Sequence, residues 1–332
     1  MTGPGEQAAH RAALDHVLSL IIALPWSDML VLRGSRLLRA WAGDLAREPA
    51  DLDFVVLPDL SVPIDRLDPY PYVSGLDIVQ QWPEFAGGAG RYEIWKDGDE
   101  EFRTLGTRAI VPPEGLGWNI EPDCSQFVSH YCSDLAEQVR RWPDATSGVV
   151  LDPDGVRTDD TWTYSYSHDG PGGIRVMVPW TAPGLAGGQV QVDFALDERL
   201  PEPPAWTRIP LEPDATQQLL VQAATPELSL AWKLLWLHTD SATDDGPRSK
   251  DLYDAVILAE DNRTQLSPRL LRRVMRQAAA TGAPAGEANI EISPPTAADW
   301  LALAAANPGT AGSASDWLNR LTTALASMKP TR

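Results

Sequence analysis

Two aspartates separated by one residue open an apolar stretch early in the chain. Asp51 and Asp53 directly precede the buried-type run at residues 54–57. Because side chains alternate between the two faces of a strand, both aspartates are predicted to share one face, while Leu52 points into the core. Neighbouring carboxylates resist joint ionisation unless a cation lies between them. Ligands of this kind suit Mg²⁺, so the spacing predicts a divalent metal site.

A glycine-serine pair upstream supplies the complementary chemistry. Gly34 and Ser35 follow an apolar run and precede RLLRAW, whose apolar residues have helical spacing. Glycine lets the backbone approach a ligand closely, and the free N–H groups of a helix start favour phosphate. We therefore predict that Gly34, Ser35 and Arg36 bind a nucleoside triphosphate beside the metal. The pattern leaves open a simpler interpretation, a capped helix followed by a solvated acidic strand end.

A lysine lies in a strongly apolar helix in the second half of the chain. Thr225 and Pro226 are typical of a helix N-cap and first helical residue, and ELSLAWKLLWLHT follows. Lys233 is the one cation of this helix, and a buried lysine needs an anionic partner. Lys233 is predicted to offset charge on the triphosphate or the transition state. The alternative is that its ammonium group extends to the surface.

Several of these segments resemble one protein family. LRGSRLL and ADLDFVV are similar to segments of the polymerase-β-like nucleotidyltransferases, and more narrowly to the AbiEii/AbiGii toxins of abortive-infection toxin–antitoxin systems. PRSKDLYDAVIL resembles that family's (R/K)DLYD segment, and AWKLLWL resembles its lysine-bearing helix. The resemblance is confined to residues 31–58, 189–198 and 225–258, and much of residues 60–180 departs from it.

The resemblance implies roles for individual residues. The functional lysine and aspartates of the family correspond to Lys233, Asp251 and Asp254. It also implies a third carboxylate on a neighbouring strand, and Asp193 is the candidate because it lies on the polar face of the alternating segment QVQVDF. Asp193 would be a general base or a third metal ligand. The alternatives are a solvent-facing acid at Asp193, and a helix cap at Asp251 and Asp254.

Composition limits the range of functions. The chain has 332 residues, 43% of them hydrophobic, so one or two domains with a sizeable core are expected. Its formal charge of −19 disfavours nonspecific binding of nucleic acid, so an RNA substrate would need a local basic patch. No signal peptide or membrane-spanning run is recognised, which predicts a cytoplasmic protein without a membrane partner. Cys124 and Cys132 are expected to be free thiols.

The predicted fold is α/β (α+β). A nucleotidyltransferase sheet of mixed strands, with flanking helices and a β-rich insert, is expected over residues 1–215, and a mainly helical domain over residues 216–332 closes the cleft. Within these parts, the hydrophobic periodicity predicts a hairpin inside residues 146–180. It predicts helices at residues 6–24, 75–82, 124–141, 267–280, 295–306 and 313–327.

The predicted reaction is a Mg²⁺-dependent transfer of a nucleoside monophosphate from an NTP to an acceptor. The family resemblance implies a toxin whose acceptor is a tRNA 3′ end or a protein, and a cognate antitoxin. Two alternatives stay open. The first is a nucleotidyltransferase acting on a small molecule of the aminoglycoside kind, which the acidic surface suits. The second is a catalytically inactive module that binds nucleotide or a partner.

Overall fold

A computed structural model gives the fold of the chain. It describes residues 3–57, 94–97, 100–103, 124–159, 161–162, 172–196, 200–212, 216–243, 246–280, 290–307 and 309–328.

The helices lie where the apolar periodicity predicts them. Their bounds are α1 (Pro4–Ile22), α2 (Ser35–Ala42), α3 (Cys124–Arg141), α4 (Pro226–Asp240), α5 (Ser249–Glu260), α6 (Pro268–Ala280), α7 (Ala297–Ala306) and α8 (Ala314–Ser327). The predicted cap of α4 is confirmed, because the hydroxyl of Thr225 accepts a hydrogen bond from the backbone N–H of Leu228 at 3.0 Å. The helix predicted at residues 75–82 lies outside the described residues.

The described chain has ten strands, and eight of them form one mixed sheet. The strands are β1 (Leu30–Arg33), β2 (Asp51–Val56), β3 (Ile94–Asp97), β4 (Glu100–Arg103), β5 (Val150–Leu151), β6 (Arg157–Thr158), β7 (Gly173–Thr181), β8 (Gly188–Ala195), β9 (Ala205–Pro210) and β10 (Gln218–Ala223). The sheet order is β5-β7-β8-β2-β1-β10-β9, with β6 paired to β7, and β3 and β4 form a separate two-stranded sheet. The β2–β8 and β1–β10 pairs are parallel, and the others are antiparallel. The predicted mixed α/β architecture is confirmed.

One face at the centre of the sheet is fully buried. Leu52 and Phe54 of β2 are at most 1% exposed, as is Phe194 of β8. Phe54 and Phe194 are register partners whose rings stack at 5.7 Å, and Tyr131 of α3 stacks on Phe194 at 5.0 Å. Since neighbouring residues of a strand alternate faces, this aromatic cluster fixes the opposite face of β2 for Asp53.

The C-terminal helices pack around α5, which contacts α4, α7, α8 and also α2 of the N-terminal part. The division at residues 215 and 216 stays a prediction, and β10 on its C-terminal side pairs with β1 and β9 of the central sheet. The hairpin predicted within residues 146–180 includes the antiparallel β6–β7 pair, although residues 160 and 163–171 lie outside the described ones. None of the helices in the described ranges is long and apolar enough to cross a membrane.

A buried ion pair joins the first two helices. The Arg36 Nε atom donates to Asp15 Oδ1 at 2.6 Å, and both side chains are at most 4% exposed. Arg36 also donates to the carbonyl of Pro210 at 2.5 Å, while the backbone N–H of Glu212 donates to Asp15 at 2.8 Å. The pair therefore holds α1, α2 and the end of β9 together.

Removing one partner of this pair should destabilise the fold strongly. We expect Arg36→Met to lower the free energy of unfolding by about 3–5 kcal/mol, because the Asp15 carboxylate is left buried without its counter-ion. Urea denaturation followed by circular dichroism measures this change. Arg140→Met, which removes an exposed pair with Glu137, is the control and should be nearly neutral. Equal stabilities of the two variants would contradict the prediction.

Candidate functional site

The turn between β1 and α2 is built for close approach. Gly34 has φ 81° and ψ −160°, a conformation that glycine adopts most readily. A Cβ atom at this position would lie 2.2 Å from the Oδ2 atom of Asp53. The absence of a side chain at Gly34 therefore allows the Asp53 carboxylate to lie directly against the turn that begins α2.

The two aspartates of β2 lie beside this turn. Ser35 is the first residue of α2, and its hydroxyl donates to Asp51 Oδ1 over a long 3.4 Å contact. Together with the contact between Gly34 and Asp53, this bond places both carboxylates next to the start of α2. The structure thus brings Gly34, Ser35, Asp51 and Asp53 together, as the spacing predicts.

A row of four charges crosses the sheet through Asp53. In the register of β1, β2, β8 and β7, Arg33 pairs with Asp53, Asp53 with Asp193, and Asp193 with Arg175. Register partners on adjacent strands share a face, so these four side chains lie on the side that carries Asp51. Asp193 therefore lies on the strand next to β2, where the resemblance places a third carboxylate.

The burial of this row leaves negative charge only partly offset. Burial and the neighbouring Asp51 carboxylate raise the pKa of Asp53 to about 7, and Asp193 acts in the same direction. Arg33 and Lys233 act against this rise without cancelling it. A divalent cation at Asp51 and Asp53 would relieve the repulsion, and two carboxylates with additional water or phosphate oxygens suit Mg²⁺. The donor set therefore fits the predicted ion.

The Asp193 carboxylate is bonded to neighbouring side chains in the structure and does not form a third ligand beside Asp51 and Asp53. It accepts hydrogen bonds from Arg175 at 2.7 and 2.8 Å and from the Gln191 amide at 2.9 Å. In keeping with this, no three His, Cys, Asp or Glu side chains converge into a metal cluster within the described part of the chain. Both Asp193 oxygens accept hydrogen bonds, and the positive charge of Arg175 disfavours binding of a metal ion or a proton at the same carboxylate.

Lys233 takes part in a buried network with both aspartates of α5. Its ammonium group lies 2.7 Å from Asp251 and 3.0 Å from Asp254. Burial opposes the charged form, but these two carboxylates outweigh it and raise the pKa of Lys233, so the ammonium stays charged. The predicted anionic partner of Lys233 is therefore present within the protein, and the ammonium group does not extend to the surface.

Arg47 completes the network and was not identified from the sequence. Its guanidinium donates to both Asp254 oxygens, at 3.0 to 3.2 Å. The neighbouring Tyr253 hydroxyl donates to the carbonyl of Leu45 at 2.8 Å. Both contacts anchor the connection between α2 and β2 on α5, only a few residues before Asp51. The helical part thereby fixes the start of the strand that carries the acid pair.

The side chain of Arg36 contacts other parts of the protein, and its predicted contact with the nucleotide stays a prediction. Its guanidinium is occupied by Asp15 and by the carbonyl of Pro210. Helical spacing places Arg36 next to Ser35 in sequence but does not reveal which element it faces. Here it faces α1 and the end of β9.

A comparison with known protein families matches residues 124–321 to the family described as "Nucleotidyl transferase AbiEii toxin, Type IV TA system". The match covers more than half of the 332 residues. The chain belongs to the AbiEii family. It is thus a member of a nucleotidyltransferase toxin family from type IV toxin–antitoxin systems, as its sequence segments suggested. A search of curated proteins found no match.

The AbiEii match divides the site residues into two groups. Asp193, Lys233, Asp251 and Asp254 lie within the matched range. The glycine-serine turn at residues 34–35 and the acid pair at residues 51–53 precede it, so the family match does not bear on them. They are brought to the matched part by the parallel pairing of β2 with β8.

Gly34 offers a direct test of this geometry. We expect Gly34→Ala to lower activity roughly 100-fold, because the new methyl group displaces the Asp53 carboxylate, and misplacement of this size has such effects. The measurement is the rate of nucleotide transfer at saturating NTP. Gly43→Ala is the matched control, since Gly43 also has positive φ, at 56°, but a Cβ there meets nothing within 4 Å. Equal losses in the two variants would attribute the effect to backbone strain alone.

Proposed function

We propose that this AbiEii-family chain is a Mg²⁺-dependent nucleotidyltransferase that moves a nucleoside monophosphate from an NTP to an acceptor. The acceptor oxygen or nitrogen bonds to the α-phosphorus, the α–β phosphoanhydride bond breaks, and pyrophosphate leaves. The observation that carries the proposal is the contact of the Asp51 and Asp53 carboxylates with the turn that begins α2. Phosphate-binding backbone and metal-binding oxygens thus lie side by side.

Each element of the site would then have a separate task. The open backbone at Gly34 and Ser35, with the N–H groups of the first turn of α2, would hold the outer phosphates. Asp51 and Asp53 would hold Mg²⁺. Bound there, Mg²⁺ would supply charge neutralisation and polarisation of the phosphate under attack. Asp193 is proposed as the third ligand or as the acceptor of the proton released by the nucleophile.

Lys233 would act from within its network. Because Asp251 and Asp254 already contact its ammonium group, Lys233 contributes a fixed positive charge near Asp53 rather than a mobile arm. That charge would offset part of the negative charge that develops on pyrophosphate. Asp251 and Asp254 would keep the ammonium charged and in place, with Arg47 as their second cationic partner.

The biological setting is proposed from the family. The protein would be the toxin of a toxin–antitoxin pair in phage defence, act in the cytoplasm, modify a tRNA 3′ end or a protein, and be counteracted by a cognate antitoxin. One observation favours a second acceptor class. The formal charge of −19 suits a small cationic acceptor of the aminoglycoside kind better than a polyanion.

A transfer assay distinguishes these acceptors. The purified protein is incubated with Mg²⁺, each α-labelled NTP, and total RNA, total protein or a cationic aminoglycoside in turn. We expect label on RNA or protein, and no label with Asp51→Ala/Asp53→Ala, because the metal ligands are removed. Asp44→Ala, which removes a fully exposed acid from the same segment, is the control and should label normally.

Three other outcomes would change the proposal. Label on the aminoglycoside alone would support the small-molecule enzyme. Nucleotide binding without any transfer would identify an inactive nucleotide-binding module. If induced expression of Asp51→Ala/Asp53→Ala still arrests growth, toxicity does not depend on nucleotidyl transfer.

A further inference from the structure

Arg175 is the basic residue that pairs with Asp193, the proposed third ligand or proton acceptor. Its Nε and Nη2 atoms donate to the two oxygens of Asp193 at 2.7 and 2.8 Å. The guanidinium also lies over the indole ring of Trp162, 4.3 Å from its centroid. It is therefore held between an aromatic plane and a carboxylate, which is the bidentate, stacked geometry that arginine and not lysine provides.

The backbone around Arg175 is shaped to admit Trp162. A Cβ atom on Gly173 would lie 2.8 and 2.9 Å from two ring atoms of Trp162, so the indole packs directly on the backbone of β7. The segment before Trp162 is tied to the same strand, because the N–H of Asp159 donates to the carbonyl of Arg175 at 2.9 Å. Trp162 is thus fixed over β7 and limits where the Arg175 side chain can go.

The pairing of Arg175 with Asp193 disfavours a metal at the same carboxylate, because three donated hydrogen bonds occupy its oxygens and the guanidinium repels a second cation. Asp193 is the register partner of Asp53, and adjacent strands lie only about 4.8 Å apart. One ion at Asp53 is therefore within reach of Asp193 as soon as its oxygens are released. A triphosphate arriving with the ion would bring negative charge close to Arg175, which is a suitable new partner for the guanidinium.

We propose that Arg175 and Asp193 exchange partners when substrate binds, so that Arg175 becomes a ligand of the triphosphate and Asp193 becomes a ligand of the metal. This inference rests on the proposed function, since it concerns the same metal and triphosphate. Before binding, Arg175 and Asp193 neutralise each other. After binding, each is neutralised by one component of the substrate, so neither charge is left buried and unpaired at either stage.

Metal binding without nucleotide tests the first half of the exchange. Mn²⁺ replaces Mg²⁺ as a paramagnetic probe, and its dissociation constant is measured by electron paramagnetic resonance. We expect Arg175→Gln to bind Mn²⁺ about tenfold more tightly than the unaltered protein, because a cation in contact with a carboxylate disfavours binding of another cation by at least that factor. Asp193→Asn alone should not increase Mn²⁺ affinity. In Arg175→Gln/Asp193→Asn, the increase in affinity seen with Arg175→Gln should be lost.

A matched control separates this exchange from a general charge effect. Arg157→Gln removes a positive charge from β6, the strand beside β7, where Arg157 donates to Gln189 and not to a carboxylate. This control should change Mn²⁺ affinity by less than about twofold, as expected for a distant exposed charge. Should Arg175→Gln not fold, Arg175→Lys retains the charge but loses the bidentate contact, and a gain of about threefold is expected.

Binding of inorganic triphosphate in the presence of EDTA tests the second half. This probe needs no metal, nucleobase or acceptor. We expect Arg175→Gln to bind triphosphate about tenfold more weakly, since a charge-assisted bidentate contact is lost. Three results would each overturn the exchange. Arg175→Gln could bind triphosphate as tightly as the unaltered protein, or it could bind Mn²⁺ with unchanged affinity. The third is a gain in Mn²⁺ affinity that persists in Arg175→Gln/Asp193→Asn.

These measurements are separate from the transfer assay. If the protein transfers no label but its variants show the predicted changes in Mn²⁺ and triphosphate affinity, the exchange is supported and the proposed enzymatic activity is refuted. Transfer without either shift would keep the activity and overturn the exchange. Failure of all variants to bind Mn²⁺ would overturn it as well, whatever the transfer assay shows.

Discussion

Like charges crowded at the centre of a sheet are the constraint around which this site is arranged. Asp53 and Asp193 are register partners on adjacent strands, and Asp51 lies two residues away on the same face. The pKa of Asp53 is raised to about 7 because the carboxylate is buried near other carboxylates. Arg33 and Arg175 occupy the two ends of the row. They reduce the repulsion without removing it, and under the proposed function a bound Mg²⁺ would reduce it further.

The helical part offsets charge in a different way. Lys233 and Arg47 face Asp251 and Asp254, so two buried cations match two buried carboxylates. A network of this kind adds little net stability over apolar packing, but losing one member leaves a buried charge unpaired. Because Arg47 belongs to the connection before β2, the network ties the position of the acid pair to α4 and α5. The lysine-bearing helix therefore contributes through position as well as charge.

Sequence patterns were sufficient where the determinants are local. Alternation in DLDFVV placed Asp51 and Asp53 on one face, and the caps and apolar stripes predicted the helices closely. The site residues that were not identified from the sequence depend on partners that are far apart in the chain. Arg175 was found beside Asp193 only once the pairing of β7 with β8 was known, and Arg47 meets Asp254 across 207 positions. The ion pair of Arg36 with Asp15 was not identified from the sequence for the same reason, since Asp15 lies on another helix.

The overall acidity of the chain then gives these ion pairs a functional meaning. A protein with a formal charge of −19 repels triphosphates and polynucleotides at long range, so a local cation has to attract them. The basic side chains around the acid pair include Arg47, Arg175 and Lys233, and each of these contacts a carboxylate. In the proposed exchange, the triphosphate takes the place of Asp193 at Arg175, and the released carboxylate binds the metal ion. Under the proposed function, binding of triphosphate and binding of metal are therefore favourable together and unfavourable separately, which couples them without a moving domain.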